Sequence, residues 1–307
     1  MQLAKLRARL KMFMLPIAML CGWLFHEPVE AVQFLSPYLI FTMLLITFCR
    51  VNISEFRITA LTWKVVGVQM IGCVVCYFAI APFNPILAQG CMLCFLCPTA
   101  TAAPVITAML GGSILTLVAI SVLSNLMAAA VAPLMFTIAV GETGVDIDFL
   151  ATFGTIMAKV GPMIIGPMVL ALLLRAVAPK VHRVIHDNQS ISFYLWSVVL
   201  IIVVGRVTTF ALAEPAERLP QMLILTVAAG LICAIQFIVG RRLGRRHGDP
   251  VAGAQGLGQK NTLLAVWMAL TFLDPVASIA PAAYIIWQNS FNSLQIWLKA
   301  RRDSLNS

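Results

Sequence analysis

Charge is what this chain lacks. Only 11% of its 307 residues are Asp, Glu, Lys or Arg, against 61% hydrophobic, whereas soluble domains carry about 25% charged residues. With a mean hydropathy of +0.95, a soluble fold is excluded and an integral membrane protein is read instead. Carboxylates are the scarcest charge, 12 against 21 Lys and Arg, and none is placed deep in an apolar run. The 4 histidines fall elsewhere too: His182, His186 and His247 lie in basic loops and His26 at the end of a run, where solvated surface is expected. The span interiors therefore hold no histidine and no carboxylate. That weighs against a thiol-based membrane enzyme around Cys97, which would need a base or a metal beside the sulfur.

The net charge of +9 does not point to nucleic acid, because the cations fall in particular loops rather than on a stripe or patch. No nucleic-acid partner, no metal and no cofactor is expected. Cys21, Cys73, Cys76, Cys91, Cys94, Cys97 and Cys233 lie within apolar runs and Cys49 at the end of one, so they read as free thiols rather than a disulfide framework. Cys91, Cys94 and Cys97 are spaced C-x-x-C-x-x-C. On a helix those positions drift around the axis, and nothing nearby completes a ligand set, so small packing residues are the reading.

A helical span needs about 20 apolar residues. Runs of this kind are placed at 12–26, 35–49, 65–82, 86–110, 114–140, 150–174, 192–212, 220–240, 250–273 and 277–298. The predicted fold class is all-α integral membrane, with ten transmembrane helices in a single domain over 1–307. The start, with Lys5, Arg7, Arg9 and Lys11, reads as the flank of a first membrane helix. It does not read as a signal peptide, because no small-residue cleavage site follows and further spans come at once. Loop charge alternates along the chain. Basic loops (Arg50 to Lys64, Arg175 to Arg183, Arg241 to Arg246, Lys299 to Arg302) exchange with neutral or acidic ones (Glu27 and Glu30, Pro82 to Pro85, Glu142 to Asp148, Glu214 and Glu217, Asp274). The positive-inside rule then puts both termini on the cytoplasmic side of a bacterial-type inner membrane, with Arg218 the one loop cation outside.

Three bases remain inside spans: Lys159, Arg206 and Lys260. Splitting ten spans into two sets of five gives the sets opposite orientation, so the expected architecture is a pair of inverted five-helix repeats. Spans four and nine are then counterparts, and both carry helix-disfavouring residues. Span four has Cys97-Pro98-Thr99-Ala100-Thr101-Ala102-Ala103-Pro104, and span nine has Gly256-Leu257-Gly258-Gln259-Lys260-Asn261-Thr262. Proline removes a backbone donor and glycine weakens helix, so each span should divide into two half-helices that cross. Broken helices in equivalent positions point to a transporter's binding site.

At these residues the chain resembles the bile acid:sodium symporter family. Cys97-Pro98 matches the start of that family's first crossover, Gly256-Leu257-Gly258-Gln259-Lys260-Asn261 its second crossover, and Trp287-Gln288-Asn289 a motif of its last span. The resemblance implies a panel (1–64 and 142–218) and a core (65–141 and 219–300), with substrate bound in the cleft between them. It also implies where sodium ligands should stand, and there the chain departs. The positions fall on Ala103, Pro104, Leu117, Ser121, Gly256 and Lys260, of which only Ser121 keeps a hydroxyl. A hard cation needs several oxygen ligands, so the two sodium sites are expected to be absent.

Lys260 puts a cation at that place instead. It is expected to neutralise the helix breaks without a bound ion and, because lysine gives up its proton readily when desolvated, to be the candidate carrier of a coupling proton. Positive half-helix N-termini add to it, so the expected substrate is a small organic anion. The site is expected to comprise Lys260, Asn261, Thr99, Thr101, Gln259, Asn289 and Ser121, with Gln288 and Asn289 bracing the crossover from span ten. The function read is a secondary transporter working by alternating access, a uniporter or proton-coupled. The alternatives are a sodium-coupled organic anion symporter of the same family and a membrane sensor or scaffold without turnover. The partners expected are the organic anion and the lipid bilayer. For Lys260 the plainer alternative is an ammonium that snorkels to the surface, and the same holds for Lys159 and Arg206. For Thr99 and Thr101 it is a hydroxyl bonded to its own backbone, and for Asn261 a helix cap. Gly161-Pro162, Gly166-Pro167 and Pro133 suggest kinks or hinges.

Overall fold

A computed structural model describes residues 17–49, 57–100, 103–141, 148–188 and 190–305. These residues are mostly helical, with no strand among them beyond one isolated bridge. In chain order the helices are α1 (residues 17–24), α2 (His26–Glu30), α3 (Ser36–Cys49), α4 (Ala60–Ile80), α5 (Pro85–Leu96), α6 (Ala103–Leu110) and α7 (Ile114–Gly141). They continue with α8 (Phe149–Val177), α9 (Pro179–Asp187), α10 (Ser190–Ala213), α11 (Leu219–Arg245), α12 (Pro250–Gly258), α13 (Thr262–Phe272) and α14 (Ile279–Leu305). Four helical stretches are long and apolar enough to cross a membrane: Ala60–Ile80, Ile114–Gly141, Phe149–Val177 and Ala216–Arg245. Shorter apolar helices, among them Pro85–Leu96 and Thr262–Phe272, accompany them. The protein is an all-α, multi-pass membrane protein. Thr101, Lys5, Arg7, Arg9, Lys11, Arg50, Glu142 and Asp146 lie outside the described residues.

Local chemistry starts several of these helices. Thr59 and Thr62 form a reciprocal capping box at α4, and the Asn84 side chain accepts from Leu87 N at 3.0 Å at the start of α5, with Pro85 in the first turn. Asp148 caps α8, and Asp249 caps α12 ahead of Pro250. Each cap satisfies a donor that a helix start leaves without an intrahelical partner. The suspected kink residues do not interrupt their elements: α7 runs through Pro133, and α8 through Pro162 and Pro167. Polar contacts also fix which ends lie together. Lys64 Nζ and His247 Nε2 are 3.2 Å apart, and Ser113 N donates to Asp249 Oδ2 at 3.0 Å. These join the starts of α4 and α12 to the ends of α6 and α11. At the opposite end, Gln221 Nε2 donates to Asn84 Oδ1 at 3.3 Å and Asp274 N to Gln89 Oε1 at 3.0 Å. The pairs α5/α6 and α12/α13 therefore run antiparallel to one another.

Three of the expectations for loops and glycines need revision. The loop expected after span six contains the amphipathic helix α9, because Val181, Val184 and Ile185 recur at helical spacing between cations. The arginines after span eight continue α11 as far as Arg245. Gly256 lies inside α12 and Gly258 is its last residue, so the break in span nine begins at Gln259, and both glycines serve close approach. A Cβ on Gly258 would lie 2.5 Å from the Phe237 ring, and one on Gly256 would lie 2.9 Å from the Ile120 side chain. A Cβ on Gly253 would meet Gly240 O, and 2.9 Å away Gly244 N, on α11. α12 is thus seated backbone to backbone on α11, the mode small residues permit in membranes.

Candidate functional site

Both expected breaks are present, and they meet. α5 stops at Leu96, where Cys97 turns to φ −58, ψ 131, a conformation forced by Pro98 behind it. α12 stops at Gly258, and Gln259 follows extended at φ −97, ψ 109. Thr99 and Lys260 form an antiparallel bridge. Ala100 N donates to Gln259 O at 2.9 Å and Asn261 N to Pro98 O at 2.8 Å. Two unwound segments thus satisfy each other at the middle of the protein, as unwound backbone within a membrane must.

The carbonyls at the end of α5, which a helix leaves without internal partners, are each accounted for. Leu93 O takes Cys97 N at 3.1 Å. Cys94 O takes Gln236 Nε2 at 3.0 Å, and Phe95 O takes the Lys260 ammonium at 3.2 Å. Leu96 O and Cys97 O both take Gln69 Nε2, at 3.2 and 2.9 Å. On the α12 side, Thr99 Oγ1 donates to Gly256 O at 2.8 Å, Tyr284 Oη to Gly258 O at 2.8 Å and Cys97 Sγ to Asn261 O at 2.7 Å. Lys260 N donates to Gln288 Oε1 at 2.8 Å. Ser124 Oγ links the layers: it accepts Thr99 N at 3.2 Å and donates to Gln69 Oε1 at 2.8 Å.

Lys260 is only 1% exposed, so its ammonium does not snorkel. It caps the negative end of the α5 dipole, and among the described residues no carboxylate forms an ion pair with it. Thr99 is buried and spends its hydroxyl on α12. Asn261 is buried and caps α13 by accepting Leu264 N at 3.4 Å. Gln259 presents a buried Oε1 without a hydrogen-bond partner. These residues come together.

Asn289 and Ser121 do not join them through any hydrogen bond to the breaks. Asn289 Nδ2 donates one turn back to Ile285 O at 2.8 Å, and bracing of the break from α14 is done by Gln288 together with Tyr284. Ser121 is buried on α7 one turn before Ser124, which makes the contact instead. Lys159 is exposed on α8 and Arg206 half-buried on α10. His26 is not simply solvated, its Nδ1 lying 3.1 Å from Thr209 Oγ1. The residues unforeseen from sequence are Gln69, Ser124, Gln236 and Tyr284. Their one visible signal is an isolated amide or hydroxyl within an apolar run, and such a group is expensive in a membrane unless partnered.

The arrangement offers binding chemistry, with a lone cation, an orphaned amide oxygen and a backbone held by side chains. The model of the SBF-like CPA transporter family matches residues 25–291. The uncharacterized sodium-dependent transporter YocS of Bacillus subtilis (strain 168) is 24% identical over 213 residues, which are 68% of this chain and 63% of that protein. The chain thus aligns with less than two thirds of that relative's length.

Proposed function

Because the chain belongs to the SBF-like CPA transporter family, we propose that it is a secondary transporter of small organic anions that works by alternating access and without sodium. The proposed frame has ten spans in two inverted five-helix repeats, with both termini cytoplasmic in a bacterial-type inner membrane. Spans four and nine are α5/α6 and α12/α13. The panel (1–64 and 142–218) rocks against the core (65–141 and 219–300).

The observation that carries this reading is the Lys260 ammonium, buried at the crossing of the two broken helices, bonded to Phe95 O at 3.2 Å and without a carboxylate partner among the described residues. A charge at membrane depth is costly unless paired, and a bound anion pairs it. Lys260 is the leading contact for the anionic group, and the orphaned Gln259 Oε1, an acceptor, is the leading contact for a hydroxyl or N–H of the same substrate. Asn261 and Thr99 border them, Thr101, outside the described residues, belongs to the proposed set by its place in the sequence, and Asn289 and Ser121 are outer members. With a fixed cation in place, the empty carrier needs no ion to reorient, which makes it a uniporter, or a proton-coupled carrier if Lys260 releases its proton on one side.

A second reading is sodium-coupled symport of an organic anion. It is favoured by the printed name of the Bacillus relative and by the oxygens of Ser124 and Gln69 beside the break. Purified protein screened against small carboxylates by thermal shift identifies a ligand, since binding raises stability by mass action. Proteoliposome uptake of that ligand is then compared in sodium, potassium and choline. Equal uptake is expected. Uptake that collapses without sodium overturns the sodium-free reading in favour of the second, and saturable binding without counterflow overturns transport altogether.

A further inference from the structure

α9 takes no part in the crossover. A single residue, Ala178, separates it from the end of α8, and none of its residues is buried. The 29 residues of α8 extend for about 43 Å at about 1.5 Å per residue, longer than the roughly 30 Å hydrocarbon layer. Its last turn, with Arg175, therefore emerges at the membrane surface, and α9 starts there. At about 100° per residue, Val181, Val184 and Ile185 share one side of α9, while Lys180, His182, Arg183, His186 and Asp187 take the other. Ile185 packs on the main apolar core. Val181 and Val184 remain 50% and 62% exposed, beside exposed Arg175, Lys180 and Arg183. The one acidic residue of the helix, Asp187, is taken by His186 at 2.9 Å. Partial burial first, then Arg175 and His186, lower the His182 pKa from its ordinary value, so cationic neighbours are felt at this surface.

We propose that α9 is a docking helix for anionic phospholipid, with Val181 and Val184 set among the upper acyl carbons and Arg175, Lys180 and Arg183 holding the headgroup phosphate. An amphipathic helix with cations flanking its apolar stripe lies in the interface plane in this way, and polybasic surface segments favour anionic lipid. A preference for one lipid charge then bears on the α8–α9–α10 segment and not on the crossover.

The test uses the full chain in neutral detergent, with phosphatidylglycerol or phosphatidylcholine added to the micelles and the melting temperature read. Phosphatidylglycerol is expected to raise it more than phosphatidylcholine. Lys180→Gln with Arg183→Gln should remove most of that difference while leaving the phosphatidylcholine value unchanged, and Arg241→Gln with Arg242→Gln should preserve it. Native mass spectrometry of the unaltered chain should retain phosphatidylglycerol adducts. Equal shifts from the two lipids, a full shift in the Lys180/Arg183 variant, absence of adducts, or the same shift from glycerol phosphate alone overturns the proposal. So does a fall in oligomer size in the Lys180/Arg183 variant by light scattering, which assigns the face to a second copy of the chain.

Discussion

At the residue scale, Lys260 has two roles that substitutions separate. One is mechanical: its ammonium satisfies Phe95 O at the end of α5. The other belongs to the proposed function: its charge pairs with the transported anion. Lys260→Ala removes both and orphans a buried carbonyl, at a cost of about 1–3 kcal/mol, so a lower melting temperature and uptake reduced at least about tenfold, the equivalent of about 1.4 kcal/mol, are expected. Lys260→Gln retains an amide donor for Phe95 O and discards the charge. Its melting temperature should stay near that of the parent while anion uptake falls as far as in Lys260→Ala. Lys159→Ala, at an exposed position on α8, should change neither. Uptake by Lys260→Gln at the parental rate would assign Lys260 to helix capping alone, and equally mild effects of Lys260→Ala and Lys159→Ala would remove it from the site.

At the element scale, the crossover rests on the seam between α11 and α12. A side chain on Gly253 would run into Gly240 O and the Gly244 backbone, which cannot yield without moving a helix. Gly253→Val should therefore cost about 1–3 kcal/mol or more by overpacking and lower the melting temperature. Gly67→Ala, where a Cβ meets nothing within 4 Å, should raise stability by about 0.4–1 kcal/mol. No loss in Gly253→Val would mean that the seam opens freely. The same contrast explains what the amino-acid sequence revealed. Pro98 marks a break by its own stereochemistry, and Asn261 before an apolar run marks a helix start, so both were legible. Gln69 and Gln236 were not, because an amide inside an apolar helix has no periodicity, and its carbonyl partners lie 27 and 142 residues away. Gln288 and Asn289 are about 100° apart on one helix, and nothing in their order says which faces the break. The glycines of α12 were read as breakers because their contacts belong to α11 and α7, which the local sequence does not contain.

At the scale of the whole molecule, the antiparallel run of α5/α6 and α12/α13 constrains the path between them. The chain leaves Ser113, traverses α7, α8, α10 and α11, and returns to Asp249 at hydrogen-bonding distance from where it left. An even number of crossings is the simplest path that does so, and it inverts the second broken helix relative to the first. α14 continues from the far end, near Asp274, back to Lys299, which lies beside Gly111. The basic residues Lys64, Arg241, Arg242, Arg245 and Lys299 thereby gather at one end, with neutral Phe83 and acidic Asp274 at the other. The proposed orientation, from the positive-inside rule, puts the basic end at the cytoplasm. Reporters test this directly. Green fluorescent protein fused after Ser307, or inserted at Gly248, should fluoresce, while alkaline phosphatase at either place stays inactive. Alkaline phosphatase inserted after Phe83, which is 88% exposed, should be active. Opposite signs for Ser307 and Gly248 would require an odd number of crossings between α11 and the C-terminus and would overturn the proposed ten-span frame in which the panel rocks against the core.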